Sequence, residues 1–127
     1  MTLREVIEKV DRLKPNQYEE TDKVAWINEL EGKLIDEVFG RAVDSAEYIP
    51  VDFRGYKWET DGDSVLLVPD QFCDIYVKYL FAQIDFHNAE FTRYNNSTMM
   101  FNAVYEEFAA YWRRNHMPRQ RVSLQPI

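Results

Sequence analysis

The helical class of this chain is written in residues 69–94, Pro69-Asp70-Gln71-Phe72-Cys73-Asp74-Ile75-Tyr76-Val77-Lys78-Tyr79-Leu80-Phe81-Ala82-Gln83-Ile84-Asp85-Phe86-His87-Asn88-Ala89-Glu90-Phe91-Thr92-Arg93-Tyr94. Within it Cys73, Val77, Leu80, Ile84, His87, Phe91 and Tyr94 are spaced 4, 3, 4, 3, 4 and 3, one unbroken stripe along a helix. Phe72, Tyr76, Tyr79 and Phe86 form a neighbouring stripe. A helix apolar over so wide an arc needs packing partners on more than one side. The spacing therefore predicts a long central helix from about Asp70 to Tyr94.

Toward the C-terminus, Asn95-Asn96-Ser97 interrupts the pattern, and Asn96 or Ser97 can cap a last helix. That helix carries Met100, Val104, Phe108 and Tyr111 on one row and Phe101, Tyr105 and Trp112 on another. Pro118 disfavours helical geometry at Met117 and ends it. Residues 119–127 are polar and basic with a few apolar side chains, and are read as a flexible tail.

Toward the N-terminus, residues 43–68 change character. Tyr48, Ile49, Val51, Phe53, Tyr56 and Trp58 are mostly strand formers, broken by Pro50 and Gly55. Asp61-Gly62 signals a turn, and Ser64 to Val68 reads as a second short strand. The expectation is a β-hairpin or long ordered loop inserted between helices, leaning on them or on a partner. Before it, a helix from near Thr21 presents Val24, Ile27, Leu30, Leu34 and Val38 on one face, with Gly40 as a left-handed end. The first helix opens on the capping box Thr2-Leu3-Arg4-Glu5, buries Leu3, Val6, Ile7, Val10 and Leu13, and stops at Pro15-Asn16. The sum is a mainly α protein: about four helices, an insertion at about 43–68, one domain over 1–118, and an extended tail over 119–127.

The 127 residues are 46% hydrophobic, 15% aromatic and 29% charged, enough apolar surface for one core and incompatible with wholesale disorder. The single cysteine, Cys73, cannot form an internal disulfide, which fits a reducing compartment. Nothing at the start reads as a signal peptide, and no apolar run reaches the roughly 18 residues of a membrane span. An intracellular protein without a membrane partner is expected. Four of the fifteen basic residues (Arg113, Arg114, Arg119 and Arg121) lie at the end, where no acid follows. The preceding residues set eleven basic groups against all 22 acids, a net of −11 beside a tail of +4. An acidic body repels phosphate, so dedicated nucleic-acid binding is not expected.

Catalytic signatures are absent from the sequence: no Gly-x-Ser-x-Gly, phosphate-binding glycine loop or Cys-x-x-Cys occurs. His87 and Glu90 lie one turn apart, but di-iron bundles use the reverse order, Glu-x-x-His, so His87 reads as a hydrogen-bonded core histidine. Asp61-Gly62-Asp63 lacks the later positions of a calcium loop and reads as a turn. Cys73, in the apolar row, reads as buried and inert. No enzyme activity, cofactor or metal is expected.

One pattern carries kinship. Tyr79-Leu80, Gln83 to Phe91, Arg93-Tyr94-Asn95-Asn96-Ser97, Met100 to Phe108 and His116-Met117-Pro118 resemble a family of small proteins from tailed phages and prophages of Gram-positive bacteria. Leu13-Lys14-Pro15-Asn16 and Leu66-Leu67-Val68-Pro69 also look like that family; Gln71-Phe72 stands where Pro-Tyr often follows the latter step. The resemblance covers most of the chain. It implies a structural virion protein, a head–tail connector (adaptor, head-completion protein) at the virion neck, assembled in the host cytoplasm. It further implies a ring of twelve subunits beneath the portal protein and above a stopper or tail-completion protein, with DNA passing through without specific binding. Rings use heterologous interfaces, with a different patch on each side of the subunit. The other reading is a small acidic regulatory or protein-interaction module encoded by a prophage. Candidate partner-binding residues are Arg119, Arg121, Val122, Leu124 and Ile127 in the tail, whose arginines suit carboxylates and whose apolar groups suit a groove, with Tyr56 and Trp58 in the insertion.

Overall fold

The computed structural model describes residues 1–41 and 53–116. Five α-helices run through them: α1 Leu3–Leu13, α2 Glu20–Glu37, the single turn α3 Trp58–Asp61, α4 Asp74–His87 and α5 Phe91–Asn115. The mainly helical class is as the periodicity predicts. The expected tail, 119–127, lies outside the described residues.

The Thr2 capping box forms: the Glu5 amide donates to Thr2 Oγ1 at 3.2 Å, and the Thr2 amide donates to the Glu5 carboxylate at 2.8 Å. Two amides that the start of a helix leaves without intrahelical partners are thereby satisfied. Leu3, Val6, Ile7 and Val10 are buried as expected, but Leu13 is 55% exposed. The helix ends there, and the next residue turns its ammonium onto Asp85, leaving Leu13 outside the core.

On α2 the apolar face is the predicted one, Val24, Ile27, Leu30 and Leu34, with Val38 at its end. Gly40 is not left-handed; it lies in a 3-10 turn, Phe39–Arg41. Its lack of a side chain matters through space, since a Cβ there would stand 2.6 Å from the Ile35 carbonyl oxygen. That close turn drives Phe39 into the core, edge-on to Phe108 and Trp112.

Of the expected hairpin or long ordered loop, the hairpin does not form over 53–68; Tyr48, Ile49, Pro50 and Val51 lie outside the described residues. Trp58, expected in a strand, begins α3, because Asp61 turns its carboxylate back onto the Lys57 amide at 2.7 Å and closes a helical turn. Ser64 to Leu66 pair with the N-terminus instead of with Tyr56 and its neighbours. Leu3 donates to the Ser64 carbonyl, Leu66 donates to that of Met1, and Thr2 and Val65 form an isolated bridge.

The predicted single helix over 70–94 is also broken. A 3-10 turn covers Asp70–Phe72, α4 stops at His87, and the chain reverses over residues 88–90. The new helix starts at Phe91 and runs straight through Asn95-Asn96-Ser97, the expected interruption. Antiparallel packing follows: Tyr94 lies against Phe86, Phe101 against Tyr79 with ring centroids 5.1 Å apart, and Phe108 against Phe72. Phe101, Tyr105, Phe108 and Trp112 are buried, whereas Met100, expected on a buried row, is 52% exposed. Helix α4 is central, packed against α5, α2 and α1, with Ile75, Tyr76, Val77, Leu80 and Ile84 fully enclosed.

Candidate interaction surface

Three charged side chains are buried among the described residues, and each has its partners. Glu31 falls four residues after Ile27 and three before Leu34, so helical geometry carries it inward with the apolar face of α2. Its carboxylate accepts from the Tyr76 hydroxyl at 2.6 Å, the Tyr56 hydroxyl at 2.7 Å and the Leu67 amide at 3.1 Å. Burial pushes the carboxyl above its ordinary value, against the opposing pull of those three donors. The same burial raises both tyrosine hydroxyls, and the nearby carboxylate adds to it. Asp85 is held by the Lys14 ammonium at 2.8 Å and the Ser97 hydroxyl at 2.6 Å, tying α4 to α5 and to the end of α1. Lys23 meets Asp11 at 2.6 Å and joins α2 to α1. These groups fasten elements to one another. In the sequence, Glu31 and Asp85 are marked only by a carboxylate set within or beside an apolar stripe.

Tyr56 and Trp58, the two described candidates for partner binding, lie beside one groove. Asn28 clamps the Tyr56 backbone, accepting from its amide at 2.7 Å and donating to its carbonyl at 3.2 Å. Gly55, at φ 95°, supplies the left-handed residue that this approach requires. The groove, of about 220 Å³, is walled by Val24 and Ala25 on one side and Tyr56 and Trp58 on the other. Trp58 also carries the Arg4 guanidinium over its ring at 5.4 Å. Arg119, Arg121, Val122, Leu124 and Ile127 lie outside the described residues.

His87 is not a core histidine. Because α4 ends at that residue, its ring lies on the surface, stacked on Trp26 at 5.1 Å with planes 13° apart. Cys73 is buried, as expected; its thiol contacts the Val68 carbonyl oxygen at 3.3 Å, and burial pushes its pKa up, away from the reactive thiolate. Asp61-Gly62-Asp63 is a turn closing α3, with the Ser64 amide donating to the Asp61 carbonyl at 2.9 Å. Among the described residues no three His, Cys, Asp or Glu side chains gather as a metal site, and no helix is long and apolar enough to cross a membrane.

What the surface does carry is a long outward helix face. On α5, Thr92, Asn96, Met99 and Ala103 recur at helical spacing and are all exposed, with Met100 beside them. Met99 is 69% exposed and Met100 52%. Two more large rings, Phe86 and Phe91, stand out at the α4–α5 reversal, 49% and 61% exposed. On α2 the outward face carries Asp22, Glu29 and Asp36, with Lys33 among them. The outward face of α2 is thus mostly acidic, and α5 carries an uncharged, methionine-bearing strip from Thr92 to Ala103 that ends at the exposed Glu106 and Glu107. Comparison with protein-family models, with characterised proteins and with solved structures finds no match.

Proposed function

We propose that this chain is a structural subunit of a phage or prophage head–tail connector, one of about twelve in a ring under the portal. The carrying observation is the outward face of α5, where Thr92, Asn96, Met99 and Ala103 offer an uncharged strip to a neighbour. At 1.5 Å per residue the strip from Thr92 to Ala103 is roughly 17 Å long, and it ends at the exposed Glu106 and Glu107. A ring needs a second, different patch on each subunit. The groove lined by Val24, Ala25, Tyr56 and Trp58 supplies a candidate for it. Acid on α2 favours a lumen through which DNA slides without being gripped. The basic segment 119–127 is assigned to docking on the portal or on the tail-completion protein below, its arginines meeting carboxylates.

Electron microscopy of particles made without this gene tests the reading. Heads that leak DNA and free tails, restored to tailed particles by the parent gene, are the expected result. Met99→Glu places a charge on the α5 strip and should block restoration while leaving the melting temperature of the purified protein unchanged. Intact tailed particles in the absence of the gene would overturn the proposal.

A further inference from the structure

The reversal between α4 and α5 is built against local preference. The Glu90 amide donates to the Asp85 carbonyl and the Ala89 amide to that of Phe86, the two hydrogen bonds of a Schellman motif. The left-handed residue of that motif is usually glycine; here it is Ala89, at φ 58°, and among the described residues it is the only non-glycine with positive φ. Alanine is the strongest helix former and is disfavoured in the left-handed region. The new helix then starts without a side-chain cap at Glu90. Meanwhile the stripe Ile84, His87, Phe91 and Tyr94 keeps helical spacing straight through the reversal. Phe86 and Phe91, flanking it, are left exposed. A strained three-residue connection that holds alanine in the left-handed position is the setting in which elements exchange between copies.

We propose that α5 is exchangeable between two copies of this chain, α4 and α5 straightening through residues 88–90 so that each α5 packs on the other copy's α4. The occupant follows from conservation of contacts. Phe101, Tyr105, Phe108 and Trp112 need the surface formed by α4, Phe72 and Phe39, and a second copy provides it unchanged. Asp85 would still receive a hydroxyl, from Ser97 of the second copy. Straightening also gives the first amides of α5 the helical carbonyl partners that a helix start lacks. Phe86 of each copy then packs on Tyr94 of the other, as it does within one copy. This inference does not rest on the connector reading, since the outward face of α5 is the same in both forms.

The full chain, held at high concentration near its melting midpoint and cooled, is analysed by size-exclusion chromatography with light scattering. A dimer that reverts only slowly on dilution is expected, because return requires both α5 helices to detach. Ala89→Gly removes the strain of the closed form in each copy and should lower the dimer-to-monomer ratio on the order of a hundredfold. Asn88→Ala favours the continuous helix and removes the 2.6 Å bond from the Tyr18 hydroxyl, so it should raise the ratio. A parent chain that stays monomeric after this treatment, or a dimer present equally in the parent and Ala89→Gly, would overturn the proposal.

Discussion

Replacing Tyr76 by Phe removes one oxygen with two duties. That hydroxyl donates to the buried Glu31 carboxylate at 2.6 Å and accepts from the Val68 amide at 3.0 Å. A hydrogen bond to a charged group contributes about 1.5–3 kcal/mol, and a buried amide left without a partner costs about 1–3 kcal/mol. Tyr76→Phe should therefore cost roughly 2.5–6 kcal/mol at neutral pH, a large part of a domain's usual stability of about 5–15 kcal/mol. The loss should also depend on pH, and its sign is fixed by Glu31. Burial raises the folded-state pKa of that carboxyl above its unfolded value. The folded state then binds the proton more tightly, so this group's contribution is most favourable at low pH and is lost as pH rises through the window between the two values. The Tyr76 hydroxyl holds the folded value down, and without it the window widens upward. Urea unfolding of parent and variant at about pH 4 and about pH 8 reads both effects, with the deficit larger at the higher pH. A variant within about 0.5 kcal/mol of the parent, or one with equal deficits at both pH values, would refute this account of Glu31.

Glu31→Gln should flatten the pH dependence of stability in the same window, measured as the difference from the parent across a urea series. Leu80→Ala and Ile84→Ala, at fully buried positions of α4, should each cost about 2–5 kcal/mol by opening a cavity, seen as a lower denaturation midpoint with unchanged slope. Lys14→Met strips the ammonium from the fully buried Asp85 and should cost about 3–5 kcal/mol, with rescue in the double variant carrying Asp85→Asn. Thr2→Ala should cost about 0.5–2 kcal/mol through loss of the capping box, measured by thermal melting.

Local pattern accounts for much of this fold. The Thr2–Glu5 capping box, the inward face of α2 and the burial of Val77, Leu80 and Ile84 were all legible, because each depends on residues within about one helical turn of one another. The candidate surface was less so. Composition marks Tyr56 and Trp58 as strand residues of an insertion, whereas the groove beside them depends on Asn28, on another element, which clamps the Tyr56 backbone. Spacing places Met100 in the core, yet it lies outside, because Phe101, Tyr105, Phe108 and Trp112 turn the other side of α5 inward.

The misplaced elements share one cause. Ser64 to Leu66 have the composition of a short strand, and their partner proved to be the N-terminus, far away along the chain. The stripe from Cys73 to Tyr94 is continuous in spacing, yet the chain reverses at Ala89. Periodicity states which residues share a face if a helix continues; it carries no information on whether continuing leaves that face covered. The reversal carries a local strain on the order of 1–2 kcal/mol at one alanine. Folding back places four large aromatic side chains of α5 against α4, Phe72 and Phe39, at about 1.5–3 kcal/mol for each large apolar side chain fully buried. Within a single copy the long-range term is several times the local one, and it settles where the helix ends.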